Sequence, residues 1–433
     1  MPASELDIAI VGGGAAGIAA ARRLARSGHS IRLFEASPRL GGRAWTQEMR
    51  GFKLDLGAGW LHSADRNAWV NVAEASAITI DRTPAAWGVQ YRDLGFSRAE
   101  QSAARKAFED FAKRLAKSPP ASDRASDGLE PGQEWNTYVA TIVGFLSGAP
   151  PDRLSAADYS AYDEASTESN WRVASGYGDL VVQSYPPEVP LSLATPVESL
   201  ELDARGVVLR TRAGALRARV VILALPTNVL AGDSIELPRE LTPWREAAAQ
   251  LPLGYTEKFF LEIAGDAPFE ADKQVLGNPR DPGTASYYLR PFGLPVVECF
   301  LSADGTNRLQ TGGPAAAFAF AIDQLAALFG PDIRRLLRPL VASSWSRMTR
   351  IGGAYSYALP GQRDARRRLA TPFEQRVYFA GEATSEYDFS TVHGAHDSGV
   401  RAAEEALRAL ATEPIHATAL HSQHGQAKIE APT

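Results

Sequence analysis

The chain has one cysteine, Cys299, in 433 residues. No disulfide can form within it, which fits a reducing compartment, so a cytoplasmic location is expected. Positive charge is not concentrated anywhere: 45 Lys and Arg against 50 Asp and Glu give a formal net charge of −5. Such a surface offers nucleic acid no basic field. The first residues lack a basic stretch followed by an apolar core and a cleavage site, so no secretory signal is expected. No window is read as approaching the ~18–20 apolar residues that cross a bilayer, so no membrane partner is expected. Three of the seven histidines, His416, His421 and His424, lie in a small, polar C-terminal stretch at no metal-ligand spacing. No metal is expected, and 412–433 reads as a disordered tail. Internal repeats are also absent.

What is present is an ordinary globular composition, 45% hydrophobic, in a chain long enough for two or three domains. "LDIAIV" (6–11) reads as a strand running into glycines, "AAGIAAARRLARS" (15–27) as a helix stopped by Gly28, and "HSIRLFEA" (29–36) as a second strand. Residues 96–170 read as mostly helical around the loop "PPASDRASDGLEPGQ". Residues 191–225 read as strands turning at Arg205-Gly206 and Ala213-Gly214. Farther on, "AAAFAFAIDQLAALFG" and "PDIRRLLRPLVASSW" read as helices, and 397–411 as the last one. In "GYTEKFFLEI" a strand puts Lys258 on the same face as Thr256, Phe260 and Glu262. That face looks either at bulk water or into a wet cavity.

The glycines of "VGGGAAG" carry chemistry. Gly12, Gly14 and Gly17 fulfil G-x-G-x-x-G between a strand and a helix, where they give a tight turn, a close backbone approach to a pyrophosphate and helix–strand packing. Ala16 belongs to the same turn. Glu35 ends the second strand, where a carboxylate accepts ribose hydroxyls. The pattern points to a dinucleotide, NAD or FAD. The following "EASPRLGGRAWT" adds Gly41, Gly42 and Arg43, a second close approach beside a cation, for which a nicotinamide site has no standard need.

With these motifs the chain resembles the flavin-containing amine oxidases: the monoamine, polyamine and spermine oxidases and the flavin-dependent histone demethylases. The resemblance covers nearly the whole chain except the tail and is densest near both ends. "LDLGAGWLHSADRN" (54–67) is similar to the family segment running beneath the flavin, with Gly57 and Ala58, into the substrate site, with Trp60 and His62. "RVYFAGEATSEYDFSTVHGAHDSG" is similar to the C-terminal flavin segment, with Gly381 and Glu382 near the ribityl and phosphate groups and Thr391 and Val392 at the pyrimidine end of the ring. Val197 matches a valine whose backbone meets adenine, and Trp345 a tryptophan near the ring. Lys258 in "TEKFF" matches the lysine that reaches flavin N5 through a water, which would turn its strand face toward the catalytic cavity. Ala354 stands where monoamine oxidases carry their flavin-linking cysteine, so the FAD is expected to be non-covalent. Tyr355 matches one wall of the aromatic cage around the substrate amine; the other wall falls at Thr391, so half the cage is missing. His62 matches a histidine that faces a substrate nitrogen in animal polyamine oxidases. Asp163 and Glu164 are considered for a second substrate ammonium, and Arg290 for a substrate carboxylate.

The resemblance implies an α/β fold with a Rossmann-like FAD-binding domain (1–80, 171–240 and 346–411) and a discontinuous α+β substrate-binding domain (81–170 and 241–345). It implies oxidation of a small-molecule amine, with a polyamine or diamine favoured. The α-carbon hydride would pass to flavin N5, the imine would hydrolyse to an aldehyde, and O2 would be reduced to hydrogen peroxide. The alternatives are an amino-acid or aromatic monoamine oxidase, a flavin desaturase or isomerase on an apolar substrate, and a module that keeps FAD only for structure. A monomer or homodimer is expected.

Overall fold

The computed structural model describes residues 5–412, so the expected tail lies outside them apart from Thr412, which closes the last helix. Glu5–Val11 is buried on both faces, with Ile8, Ala9 and Ile10 fully enclosed. That suits the middle of a parallel sheet covered on both sides. It pairs in parallel with Ile31–Phe34 on one side and with Gly214–Leu223 on the other. The ten-residue Gly214–Leu223 strand is shared on its far edge. Residues 214–218 pair antiparallel with Gly206–Thr211, and 221–223 pair in parallel with Val377–Phe379. Leu191–Ser192 and Val197–Asp203 finish the seven-stranded sheet at its two ends.

Two helices meet against this sheet, Ala15–Leu24 and Val392–Thr412. They are alanine- and glycine-rich because there is no room for more: a Cβ on Gly17 would stand 1.9 Å from the Gly12 carbonyl oxygen, and one on Gly399 2.1 Å from that of Ala16. The last helix starts at Val392, five residues before the expected start, because the Thr391 hydroxyl caps the Gly394 N–H.

A second sheet, antiparallel and five-stranded, runs in the order Lys273–Leu276, Ser286–Leu289, Val296–Ser302, Thr256–Ile263, Leu337–Ala342. The last strand corrects the helix expected over 331–345. Only 331–335 makes a short 3-10 turn. Pro339 would break a helix interior, but it sits easily on an edge strand, beside a register shift between Phe260 and Leu261. One face of this sheet packs on the helix Asn307–Phe329, with Phe259 edge-on to Phe318. The expectation that no segment is long and apolar enough to cross a membrane is also corrected, since Ala303–Phe329 is, by length and composition. That stretch breaks at Gly313 (φ 72°) ahead of Pro314, and its Leu309, Phe318, Ala321 and Leu325 join the core beneath the sheet.

The expected helical region holds Arg98–Lys117, started by a Ser97/Glu100 capping box, together with Asn136–Ser147 and Ala156–Ala165. These helices enclose their own apolar cluster around Phe111, Trp135 and Tyr159.

Candidate active site

A single cavity of about 960 Å³ runs from the glycine turns of the parallel sheet to the free face of the antiparallel one. At its first end Gly12 has φ +107° and no space for a side chain, whereas a Cβ on Gly14 would meet nothing within 4 Å. Gly14 is the N-cap of Ala15–Leu24 without any side-chain cap, so the first N–H groups of a ten-residue helix open onto the cavity. Such an end attracts phosphate. The second glycine pair lies directly alongside: Gly41 donates to the Gly13 carbonyl, and Gly42 (φ +56°) lies against Gly14. Glu35 is fixed by the Gly13 and Ser37 N–H groups, both at 2.6 Å, and faces the same space. Val197, farther along, lines it too. The cradle fits the pyrophosphate and ribose of FAD.

Arg43 and Glu382 face each other at 3.0 Å, and Arg43 also donates to the Ala354 carbonyl. Burial pushes the Glu382 carboxyl upward, but Arg43 and Arg366, with Ser356 and Ser390, hold it below the usual glutamate range. Ser356 passes this network on to the fully buried Arg366–Asp158 pair. Gly57, Ala58, Trp345, Gly381, Thr391 and Val392 all line the middle of the cavity, as does Ala16 nearer the cradle. Gly17 does not; it packs the helix on the turn. Thr391 reaches the cavity with its hydroxyl occupied by the Asp388 carbonyl and the Gly394 N–H.

The far end is a chamber floored by the antiparallel sheet. The register puts Thr256, Lys258, Gln274, Ser286, Tyr288, Glu298 and Phe300 on one face, and all of them line the cavity. Lys258, 6% exposed, therefore looks into the cavity and not at bulk water. Its Nζ lies 3.1 Å from Glu298 Oε1 and beside Gly59, where a Cβ would stand 3.0 Å away. Glu257, on the opposite strand face, is buried too. It accepts from the Ser343 and Ser346 hydroxyls and from the Trp345 and Ser346 N–H groups, so it fixes the turn that presents Trp345.

His62 lines the wall of the chamber, with Nδ1 2.7 Å from Asn170 Oδ1. Asn170 uses its amide N–H on the Glu168 carbonyl. Its oxygen must then face His62, which makes Nδ1 the donor and leaves Nε2 as an acceptor. Burial outweighs the opposing hydrogen bond with Asn170 and, with smaller contributions from His393 and Lys258, lowers the His62 pKa to about 4, so the ring is neutral at pH 7. Trp60 is edge-on to Tyr288 and tilted against Trp87, whose ring also approaches His62. Trp87 is 39% exposed at the cavity mouth. Tyr355 lines the chamber and donates to the Phe145 carbonyl at 2.6 Å; burial raises its pKa and keeps it neutral.

Three considered residues are not brought to the site. Asp163 and Glu164 are exposed, outside the cavity lining. Arg290 turns its guanidinium to the Phe269 and Gly293 carbonyls. Cys299 is fully buried on the sheet face away from the cavity. Sequence reasoning did not find Glu298, Tyr288, Trp87 or Asn170. Alternation within "VVECFLS" does put Glu298 on one strand face, but only the register with Thr256–Ile263 puts it beside Lys258.

Residues 15–78 and 82–407 match the family model described as flavin containing amine oxidoreductase. Polyamine oxidase 4 of Oryza sativa subsp. japonica is 27% identical over 444 residues, covering 94% of this chain and 90% of the relative. A double mutant of a putrescine oxidase superposes with a TM-score of 0.72 at 18% identity, covering 94% of this chain and 100% of the other. Cyclohexylamine oxidase from Brevibacterium oxydans IH-35A superposes with a TM-score of 0.72 at 20% identity, covering 94% and 99%. The open glycine cradle, the glutamate beside it and the lysine-bearing chamber at the other end of one cavity are thus the parts of an FAD-dependent amine oxidoreductase, and the chain belongs to the flavin-containing amine oxidoreductase family.

Proposed function

We propose that this protein oxidises a small amine at the carbon bearing the nitrogen, to an imine that water hydrolyses to an aldehyde and a smaller amine or ammonia. Bound FAD supplies the two-electron acceptor, and O2 takes the electrons on, leaving hydrogen peroxide. The observation that carries the reading is the single cavity joining the dinucleotide cradle to a chamber where His62 offers a neutral acceptor and Lys258 a cation. His62 Nε2 would take an N–H hydrogen bond from the amine and fix the nitrogen; Trp60 and Tyr355 would bound it sideways. The apolar walls exclude water, which strengthens each of these contacts. Within this reading the segments 1–80, 171–240 and 346–411 form the flavin domain, and 81–170 and 241–345 the substrate domain. The names of the relatives leave polyamines, putrescine and cyclohexylamine as models for the amine.

The test is anaerobic bleaching of the holoprotein's flavin absorbance by a panel of polyamines, diamines, aromatic and alicyclic monoamines, and amino acids. Bleaching by at least one amine class is expected. A yellow protein that none of them reduces would overturn the reading, and an apolar substrate or a structural flavin would take its place.

A further inference from the structure

Among the described residues, four carboxylates line the cavity: Glu35, Glu198, Glu298 and Glu382. Glu35 belongs to the glycine cradle, Glu198 follows Val197 there and pairs with Arg212, and Glu382 is held by Arg43. Glu298 alone stands on the sheet that floors the chamber, and Lys258 occupies it. The two are diagonal neighbours on paired strands, since Phe300 lies opposite Lys258 and Phe260 opposite Glu298. Their 3.1 Å contact is therefore set by backbone register. Beside this pair the floor carries Phe300 and the uncharged Gln274 and Ser286, which hydrogen-bond to each other; Phe108, Tyr138, Ile142, Phe145 and Leu146 add apolar wall, and Arg105 lines the cavity too, tied to the Gly88 carbonyl.

A substrate with a second ammonium would have to desolvate it among these walls, with no unpaired carboxylate on the chamber floor to receive it. It would also meet the charges of Lys258 and Arg105. A substrate whose far end is uncharged meets no charge repulsion, and even a hydroxyl there costs far less to desolvate than an ammonium. We infer that the Lys258–Glu298 pair is a charge filter, and that Glu298 is a specificity-determining residue. By holding Glu298, Lys258 withholds it from the substrate, so the enzyme takes amines with one positive charge and an uncharged body and discriminates against diamines of the same length. This inference rests on the amine-oxidation reading and refines it, away from the polyamines that the names of several relatives suggest.

The test compares 6-amino-1-hexanol with hexane-1,6-diamine, which differ only in whether the far end is a hydroxyl or an ammonium. Apparent dissociation constants come from the saturation of anaerobic flavin reduction in the holoenzyme, so effects on the chemical step cancel in their ratio. The wild type should bind the amino alcohol at least tenfold more tightly. Lys258→Met uncovers Glu298 and should move the ratio tenfold or more toward the diamine, and Lys258→Met with Glu298→Gln should move it back. Glu298→Gln alone removes the lysine's ion-pair partner, leaving the buried Asp55 carboxyl, outside the cavity lining, to attract it, and should widen the wild-type preference; it decides the matter if Lys258→Met fails to fold. Equal or tighter diamine binding by the wild type overturns the filter, as does a ratio that does not respond to Lys258→Met or, where that variant fails to fold, to Glu298→Gln. If neither compound bleaches the wild type while other amines do, the chamber rejects both and the filter falls alone. If no amine does, the filter falls together with the amine-oxidation reading.

Discussion

Replacing Asp158 by alanine tests how the helical layer is fastened to the flavin-facing network. Asp158 and Arg366 are both 0% exposed and bidentate, at 2.7 and 2.8 Å, and Asp158 also accepts the Ala358 N–H at 3.0 Å. Its loss leaves a guanidinium over the Phe389 ring with only Ser356 and the Ala383 carbonyl as partners. Breaking one side of such a buried pair costs about 3–5 kcal/mol. Unfolding entropy over 433 residues is about 0.9 kcal/mol/K, so the melting midpoint should fall by about 3–6 °C. Thermal unfolding followed by tryptophan fluorescence reads that shift, and flavin fluorescence should show release at the same or a lower temperature, because Ser356 joins Arg366 to Glu382. Replacing both partners with apolar side chains of similar size, Asp158→Leu with Arg366→Met, should recover at least half the loss. A midpoint within about 1 °C of wild type for the single variant would falsify the reasoning.

Gly14→Ala should fold normally, since its φ of −77° suits alanine and the added methyl meets no protein atom, yet FAD affinity should drop at least about tenfold, ~1.4 kcal/mol; the flavin-to-protein ratio after dilution measures it, and an unchanged ratio would move the phosphates elsewhere. Gly17→Ala, 1.9 Å from a carbonyl oxygen, should instead lower the yield of folded protein, read by expression and melting. With a folded pKa of about 4 against an ordinary 6.5, His62 binds fewer protons folded than unfolded between those values. Its contribution to stability is then full above about pH 6.5 and is lost as the pH falls toward 4; His62→Gln should flatten that slope in urea midpoints measured across the range, and an unchanged slope would contradict the assignment. Glu257→Gln removes one of two oxygens serving four donors and should cost about 1–3 kcal/mol, with a change in flavin absorbance as Trp345 loosens; identical melting and spectrum would count against it.

The dinucleotide end was legible because its chemistry is local. Gly12, Gly14 and Gly17 act within one turn, and Glu35 directly follows the next strand, Ile31–Phe34. Lys258 was legible as a question about a polar strand face, answered when both that face and the facing cavity were placed. Its partner was not, because strand register joins residues forty positions apart without leaving a mark on either segment. Arg366 and Asp158 are separated by 208 positions, and each reads alone as an ordinary surface charge. The strand Leu337–Ala342 was masked by leucines and arginines at helix-like spacing, although Pro339 was the residue that argued against a helix. Trp87 lies in a stretch without periodicity, and only its packing on Trp60 brings it to the mouth.

The closeness of Ala15–Leu24 to Val392–Thr412 also bears on the order of events in the cell. The glycine cradle is translated almost at once, but the wall completed by Gly381, Thr391 and Val392 is translated only after nearly all of the intervening chain. At ordinary elongation rates that interval is about 20–80 s. Throughout it the apolar first helix lacks the partner against which Gly399 closes it. A ribosome-bound chain should therefore hold flavin poorly until the last helix emerges, which makes cofactor capture a late event and the nascent flavin sheet a natural client for chaperones.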